Sequence, residues 1–126
     1  MNAAEQVLKG LNPNALIGAE EGQVVAIEDV ADPDGRMYRL EYRATPDGRR
    51  AVAWCLHNPW SAGGTPNAGQ GYVEAHVGED GFLCLGNGSE RALARSPFNL
   101  DYAVKRARFW CTAFSVFMET GTFPTP

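Results

Sequence analysis

The stretch DPDGRMYRLEYRATPDGRRAVAWCLH, Asp32 to His57, decides the fold. Asp32-Pro33-Asp34-Gly35 is a turn with a mechanism: proline presets its own φ and glycine accepts a positive one. Arg36 to Arg43 then alternates, with Tyr38, Leu40 and Tyr42 on one face and Arg39, Glu41 and Arg43 on the other. That is the pattern of a half-buried antiparallel strand. Thr45-Pro46-Asp47-Gly48 repeats the turn chemistry. Arg50 to His57 reads as the next strand, with Val52, Trp54 and Leu56 expected inward and Ala51, Ala53, Cys55 and His57 on the opposite face. Upstream, Gln23 to Val30 is rich in Val and Ile and reads as a strand as well. Three consecutive strands joined by short Pro-Asp-Gly turns predict an antiparallel meander sheet.

The flanks supply helices. Asn2-Ala3-Ala4-Glu5 has the spacing of a capping box, so a short helix is expected through Val7 and Leu8, stopping near Gly10. Asn12-Pro13-Asn14 breaks it, and Leu16 and Ile17 are expected to tuck into the core from a loop. Between Ser96-Pro97 and Thr120 the residues Leu100, Ala103, Val104, Ala107, Cys111, Phe114 and Phe117 recur at three- and four-residue spacing, which makes one apolar face of a helix. Ser96 with Pro97, or alternatively Asn99, would cap its start, and Gly121 would end it. Lys105, Arg106 and Arg108 lie off the stripe and read as a solvated face, whereas Phe109-Trp110 widens the apolar arc. Burying the stripe on the sheet predicts an α+β fold, a meander sheet packed against helices.

Composition bounds the function. At 126 residues the chain is expected to form a single domain over positions 1–126. With 44% hydrophobic and 21% charged residues it has ordinary globular composition, which argues against disorder. The net charge of −4 and the lack of a dominant basic stretch argue against nucleic acid as the main ligand. No apolar run approaches the ~20 residues that span a bilayer, so no membrane association is expected. Three cysteines, an odd count, with no secretory leader point to free thiols in a reducing cytoplasm.

The chemistry concentrates in Tyr72 to Leu85, YVEAHVGEDGFLCL. A strand from Tyr72 to Val77 is expected to break at Gly78-Glu79-Asp80-Gly81 and deliver Cys84 between two leucines, directly before Gly86-Asn87-Gly88. The Gly- and Pro-rich run Asn58 to Gly71, with Trp60 expected to be exposed, is either a plain linker or a loop that shapes access to Cys84. Cys84 itself has three readings. It could be buried packing. It could join Cys55, His57 and His76 as a metal ligand, although the spacings do not match common zinc patterns. Or it could be a nucleophile that exchanges an acyl chain between thiols, since even a thiol near pKa ~8.5 is strongly nucleophilic. Glu79 and Asp80 could then orient an attacking amine, or simply be solvated turn residues.

His76 followed by Gly81-Phe82-Leu83-Cys84-Leu85 resembles the core of ubiquitin-conjugating enzymes, in which a strand ending in His-Pro-Asn precedes a Gly-x-x-Cys-Leu segment. The order of an N-terminal helix, a strand meander, a proline-containing loop, the histidine, the cysteine and a following helix agrees with that family. The resemblance implies a ubiquitin-conjugating-enzyme-like fold and a catalytic Cys84 that accepts a ubiquitin-like protein from an activating enzyme and passes it to a protein target. It implies that His76 braces the loop and that no cofactor is held by this chain, ATP being used by the activating enzyme. The family's Pro-Asn is Val77-Gly78 here, so the oxyanion-supporting role passes to Asn87 or to amides of the Gly86-Asn87-Gly88 turn. A single long helix after the cysteine is similar to the minimal, divergent members encoded by bacteria. Two other readings are a non-catalytic adaptor of the same fold that binds a ubiquitin-like partner, and a small metal-binding domain.

Overall fold

A computed structural model describes residues 1–60 and 74–125. Helix α1 spans Ala3–Leu11 and opens with the expected capping box: the Glu5 amide donates to Asn2 Oδ1 at 2.9 Å and the Asn2 amide to Glu5 Oε1 at 3.2 Å. The helix runs past Gly10 and stops at Asn12, whose side chain accepts from the Asn14 amide.

Four strands follow, β1 (Leu16–Glu20), β2 (Gln23–Ala31), β3 (Met37–Ala44) and β4 (Ala51–His57), and they pair antiparallel in sequence order. The sheet is therefore a four-stranded antiparallel meander in an α+β protein. Both Pro-Asp-Gly turns form, and Gly35 and Gly48 take the positive φ expected of them. Strand β1 corrects the expectation that Leu16 and Ile17 sit in a loop; Ile17 does pack against the core, but Leu16 does not. Glu21 and Gly22 both adopt positive φ, 52° and 77°, which is the twist a two-residue hairpin requires. That hairpin leaves Leu16 exposed on an edge strand.

The faces of β4 differ from those expected, although Val52 is buried as predicted and His57 is exposed. Ala51, Ala53 and Cys55 are fully buried, whereas Trp54 and Leu56 are only half-buried. Pairing decides this, because directly opposed residues of antiparallel strands share a face. Tyr42 lies opposite Ala53 and Leu40 opposite Cys55, so the buried face of β3 continues onto the small residues of β4.

Helix α2 spans Leu100–Thr120 and packs on β2, β3 and β4. Asn99 is the cap, accepting from the Tyr102 amide at 2.8 Å, and Gly121 ends the helix in the left-handed region. Ser96 has another task. It is buried, and its hydroxyl donates to the Ala51 carbonyl at 2.6 Å, which ties the approach to α2 onto β4. The predicted stripe Leu100, Ala103, Val104, Ala107, Cys111 and Phe114 is buried, and so is Trp110.

Arg106 and Arg108 do not lie on a plainly solvated face. Arg108 reaches the buried Glu28 carboxylate at 2.8 and 3.0 Å and the Leu11 carbonyl at 3.3 Å. Tyr42 and Asn12 also donate to Glu28, so one carboxylate joins α1, β2, β3 and α2. Burial opposes ionisation of Glu28, but these donors and the guanidinium charge outweigh it and hold the carboxyl below its ordinary range. A second buried carboxylate, Asp32, accepts from the Ser115 hydroxyl at 2.6 Å and pairs with Arg36 at 3.1 Å. Trp60, expected to be exposed, is partly buried here. Its indole N–H is shared between Tyr38 and Ser115 at 3.2 Å each, and Arg36 stacks on its ring. Among the described residues no helix is long and apolar enough to cross a membrane.

Candidate active site

The segment that carries Cys84 is a small hairpin clamped to the free edge of β4. Its turn is built by Glu79 and Asp80, with the Gly81 amide donating to the Gly78 carbonyl at 3.0 Å and Gly81 at a φ of 88°. The arms are held by Gly78 N–H to Phe82 carbonyl at 2.8 Å and Cys84 N–H to His76 carbonyl at 3.0 Å. The second arm also pairs with β4: Cys55 N–H donates to Gly81 at 2.8 Å and Leu83 N–H to Ala53 at 3.0 Å, with Trp54 opposite Phe82. Leu83 and Leu85 are buried, so alternation turns the side chain of Cys84 out to solvent.

The expected strand from Tyr72 to Val77 is not what precedes it. Tyr72 and Val73, like residues 61–71 of the loop expected to shape access to Cys84, lie outside the described residues. Glu74 to His76 form a turn, and Val77 makes only an isolated bridge to Leu83. His76 sits in the left-handed region at a φ of 56°, and the Ala75 carbonyl before it accepts from the buried Trp110 indole at 2.7 Å. Anchorage to α2 thus takes the place of a ladder.

Cys84 is the exposed one of the three cysteines. It opens onto a cleft of about 190 Å³ whose walls include His76, Arg106, Phe109, Trp110 and Phe123. The Phe123 ring, from the tail beyond α2, stacks at a tilt on His76 with centroids 4.8 Å apart. The His76 imidazole makes no hydrogen bond among the described residues. Its backbone carbonyl, not its ring, accepts from the Cys84 amide. Asn87 is exposed and outside the cleft wall. In the following turn the Gly86 carbonyl accepts from the Cys84 thiol at 3.7 Å.

Two contributions were not apparent from the sequence. Arg91 forms a two-toothed pair with Asp80 at 2.5 and 3.0 Å and lies over the Phe82 ring. The hydrogen bonds from Arg91 hold the Asp80 carboxyl down at about 2, so Asp80 is a turn brace and a poor general base. Arg106 donates from Nε to the Leu85 carbonyl at 3.2 Å, beside a longer bond from Tyr102 at 3.4 Å. The signal was available in principle, since Tyr102 and Arg106 stand one helical turn apart on the same face. What lay under that face was not.

The metal-ligand reading finds no support in the arrangement: among the described residues no group of three His, Cys, Asp or Glu side chains is placed to hold a metal ion. Cys55 is wholly buried while Cys84 is exposed. Burial also separates the thiols chemically, pushing Cys55 up to about 12 and Cys111 well above its usual value. Iodoacetamide under native conditions is therefore expected to modify Cys84 alone. Cys55 and Cys111 should react at least about 100-fold more slowly, because they do so only through opening of the fold. Peptide mapping of the alkylated protein reads this directly, and equal labelling of all three would contradict the burial described here.

Compared with protein-family models, curated proteins and solved structures, the chain matches none. The site is that of an α+β protein presenting one exposed thiol on a clamped hairpin beside an aromatic-walled cleft.

Proposed function

We propose that the protein is a ubiquitin-conjugating-enzyme-like carrier with the corresponding fold, cytoplasmic and of the minimal bacterial type. The observation that carries the reading is the exposure of Cys84 from a backbone held on both flanks, with Leu83 and Leu85 buried beneath it. A nucleophile that must meet a thioester on another protein needs a fixed backbone and an open approach. The order of α1, the meander, the Cys84 segment across the edge of β4 and α2 is also the order the resemblance implies.

In the reaction, the Cys84 thiolate attacks the carbonyl carbon of the thioester between the activating enzyme and the C-terminus of a ubiquitin-like protein. A new C–S bond forms, the tetrahedral oxyanion collapses, and the activating enzyme's thiolate leaves and takes up the proton released by Cys84. A target amine later attacks the Cys84 thioester; a C–N bond forms, the C–S bond breaks, and the departing Cys84 thiolate takes up the amine's proton. His76 holds the Cys84 amide throughout. This chain requires no cofactor, since the energy of ATP is already stored in the first thioester.

Incubation with a candidate activating enzyme, its ubiquitin-like protein and ATP is expected to give a conjugate that reducing agent removes. Cys84→Ala should form none, and Cys84→Ser should trap a reductant-resistant oxyester. A conjugate that still forms on Cys84→Ala, or none on the native protein, sinks the carrier reading.

A further inference from the structure

We infer that Arg106 is the catalytic group that receives the negative charge of the acyl oxygen at Cys84, the role the sequence assigned to Asn87 or to turn amides. The inference deepens the acyl-carrier reading and rests on it, but it follows from the geometry of the cleft. A thioester formed at Cys84 places its carbonyl next to the sulfur, and the tetrahedral intermediate needs a donor on that side. Asn87 stands outside the cleft and the Gly86 carbonyl near the thiol can only accept, so neither meets the need.

Arg106 meets it on three counts. It lines the same cleft as Cys84, beside the rings of Phe109, Trp110 and Phe123, and is the cationic group there, the Thr125 hydroxyl being a neutral donor. Its Nε is fixed on the carbonyl of Leu85, the residue directly after the nucleophile, so its position is tied to the backbone of the reacting residue. It makes no ion pair among the described residues, in contrast to Arg36, Arg43, Arg91 and Arg108, so its terminal N–H groups are not committed to a carboxylate. The Phe109 ring lies 5.3 Å from the guanidinium carbon and the Tyr102 ring 6.0 Å, which limits where those groups can swing. A guanidinium with one nitrogen anchored and its remaining donors uncommitted to carboxylates, beside aromatic walls, is preorganised for an oxyanion.

The step it assists balances without any further reactant. The thiolate adds to the carbonyl carbon, the C=O electron pair moves onto oxygen beside the Arg106 N–H groups, and the pair returns as the leaving thiolate departs.

The test needs no partner protein. Acylation of Cys84 by the small phenyl thioester of N-acetylglycine is followed by mass spectrometry, with alkylation by iodoacetamide as a measure of thiol presentation, since that reaction forms no oxyanion. Arg106→Gln is expected to slow acylation about 10-fold or more while the alkylation rate stays within about twofold. Arg106→Lys should recover part of the loss. Tyr102→Phe removes the other side-chain donor to the Leu85 carbonyl and should leave both rates unchanged. The inference is overturned if Arg106→Gln acylates at the native rate, if it loses both rates equally, or if Tyr102→Phe slows acylation as much. If the small thioester depends on Arg106 but no activating enzyme ever charges Cys84, the carrier reading fails and the role of Arg106 stands.

Discussion

Arg108→Ala is expected to lower the unfolding free energy by about 3 kcal/mol or more at pH 7, the cost of stranding one member of a buried ion pair. Glu28 is the stranded member. Its side chain is 2% exposed against 32% for Arg108, so the carboxylate cannot turn to water when its partner is removed. Asn12 and Tyr42 remain as donors, but neither carries charge. Set against a typical total of about 5–15 kcal/mol, the loss is large.

The pH dependence separates this explanation from simple loss of packing. In the native protein Glu28 is held below its ordinary range, so its contribution is present above the unfolded value and is lost as pH falls through the lowered one. In Arg108→Ala, burial acts against the charged form with less opposition, and the carboxyl should move up instead. The deficit relative to the native protein should therefore shrink as pH falls from 7 toward 4, and Glu28→Gln added to Arg108→Ala should restore part of the stability at pH 7. Urea unfolding of the two variants across that range checks it. A deficit independent of pH would mean that the stem of Arg108, rather than its charge, matters.

Gly81→Ala carries the second large effect. A Cβ at this position would lie 2.2 Å from the Cys55 carbonyl oxygen, which is main chain and cannot rotate away. The φ of 88° adds strain for any L-residue. Relief requires the hairpin to lift from β4, which breaks the Cys55–Gly81 and Leu83–Ala53 hydrogen bonds and uncovers Leu83. The expected loss is about 3 kcal/mol or more, combining left-handed strain with lost pairing and burial. Gly22→Ala is the control: its φ is 77°, but nothing lies within 4 Å of the added carbon, so it should lose only about 1 kcal/mol. Hydrogen exchange should show the Cys55 and Leu83 amides losing protection in Gly81→Ala. If those amides keep native protection, the hairpin is not held in the way described.

Much of the fold was legible because its signals are local. The Pro-Asp-Gly turns and the alternation through Tyr38, Leu40 and Tyr42 describe β3 and its connections without reference to anything distant. The capping box at Asn2 and the stripe of α2 are equally local. Strand β1 was missed because Glu21-Gly22 is not among the usual hairpin dipeptides and the strand has almost no burial to leave a pattern. The faces of β4 were misjudged because both alternating sets are apolar. Alternation then shows that there are two faces without showing which is inner.

At the candidate site the sequence by itself set Cys84 on the face opposite Leu83 and Leu85 and left open whether that face is buried; the structure shows it exposed. Alternation with Leu83 and Leu85 and the glycine turns on either side are enough to put its side chain opposite the buried ones. What surrounds the thiol was decided only by the tertiary structure. Arg106 comes from a helix that begins after the hairpin has ended, Trp110 reaches back to Ala75, and Phe123 closes on His76 from beyond the end of α2. Asn87, three residues from Cys84 in sequence, is left outside the cleft, whereas Arg106, far along the chain, lines it. Spacing in sequence governs which way a side chain points from its own strand, but the neighbours it meets depend on how a helix lies across the sheet. That crossing is fixed by burial of the small residues of β4 and by the Glu28–Arg108 pair, neither of which leaves a local pattern to read.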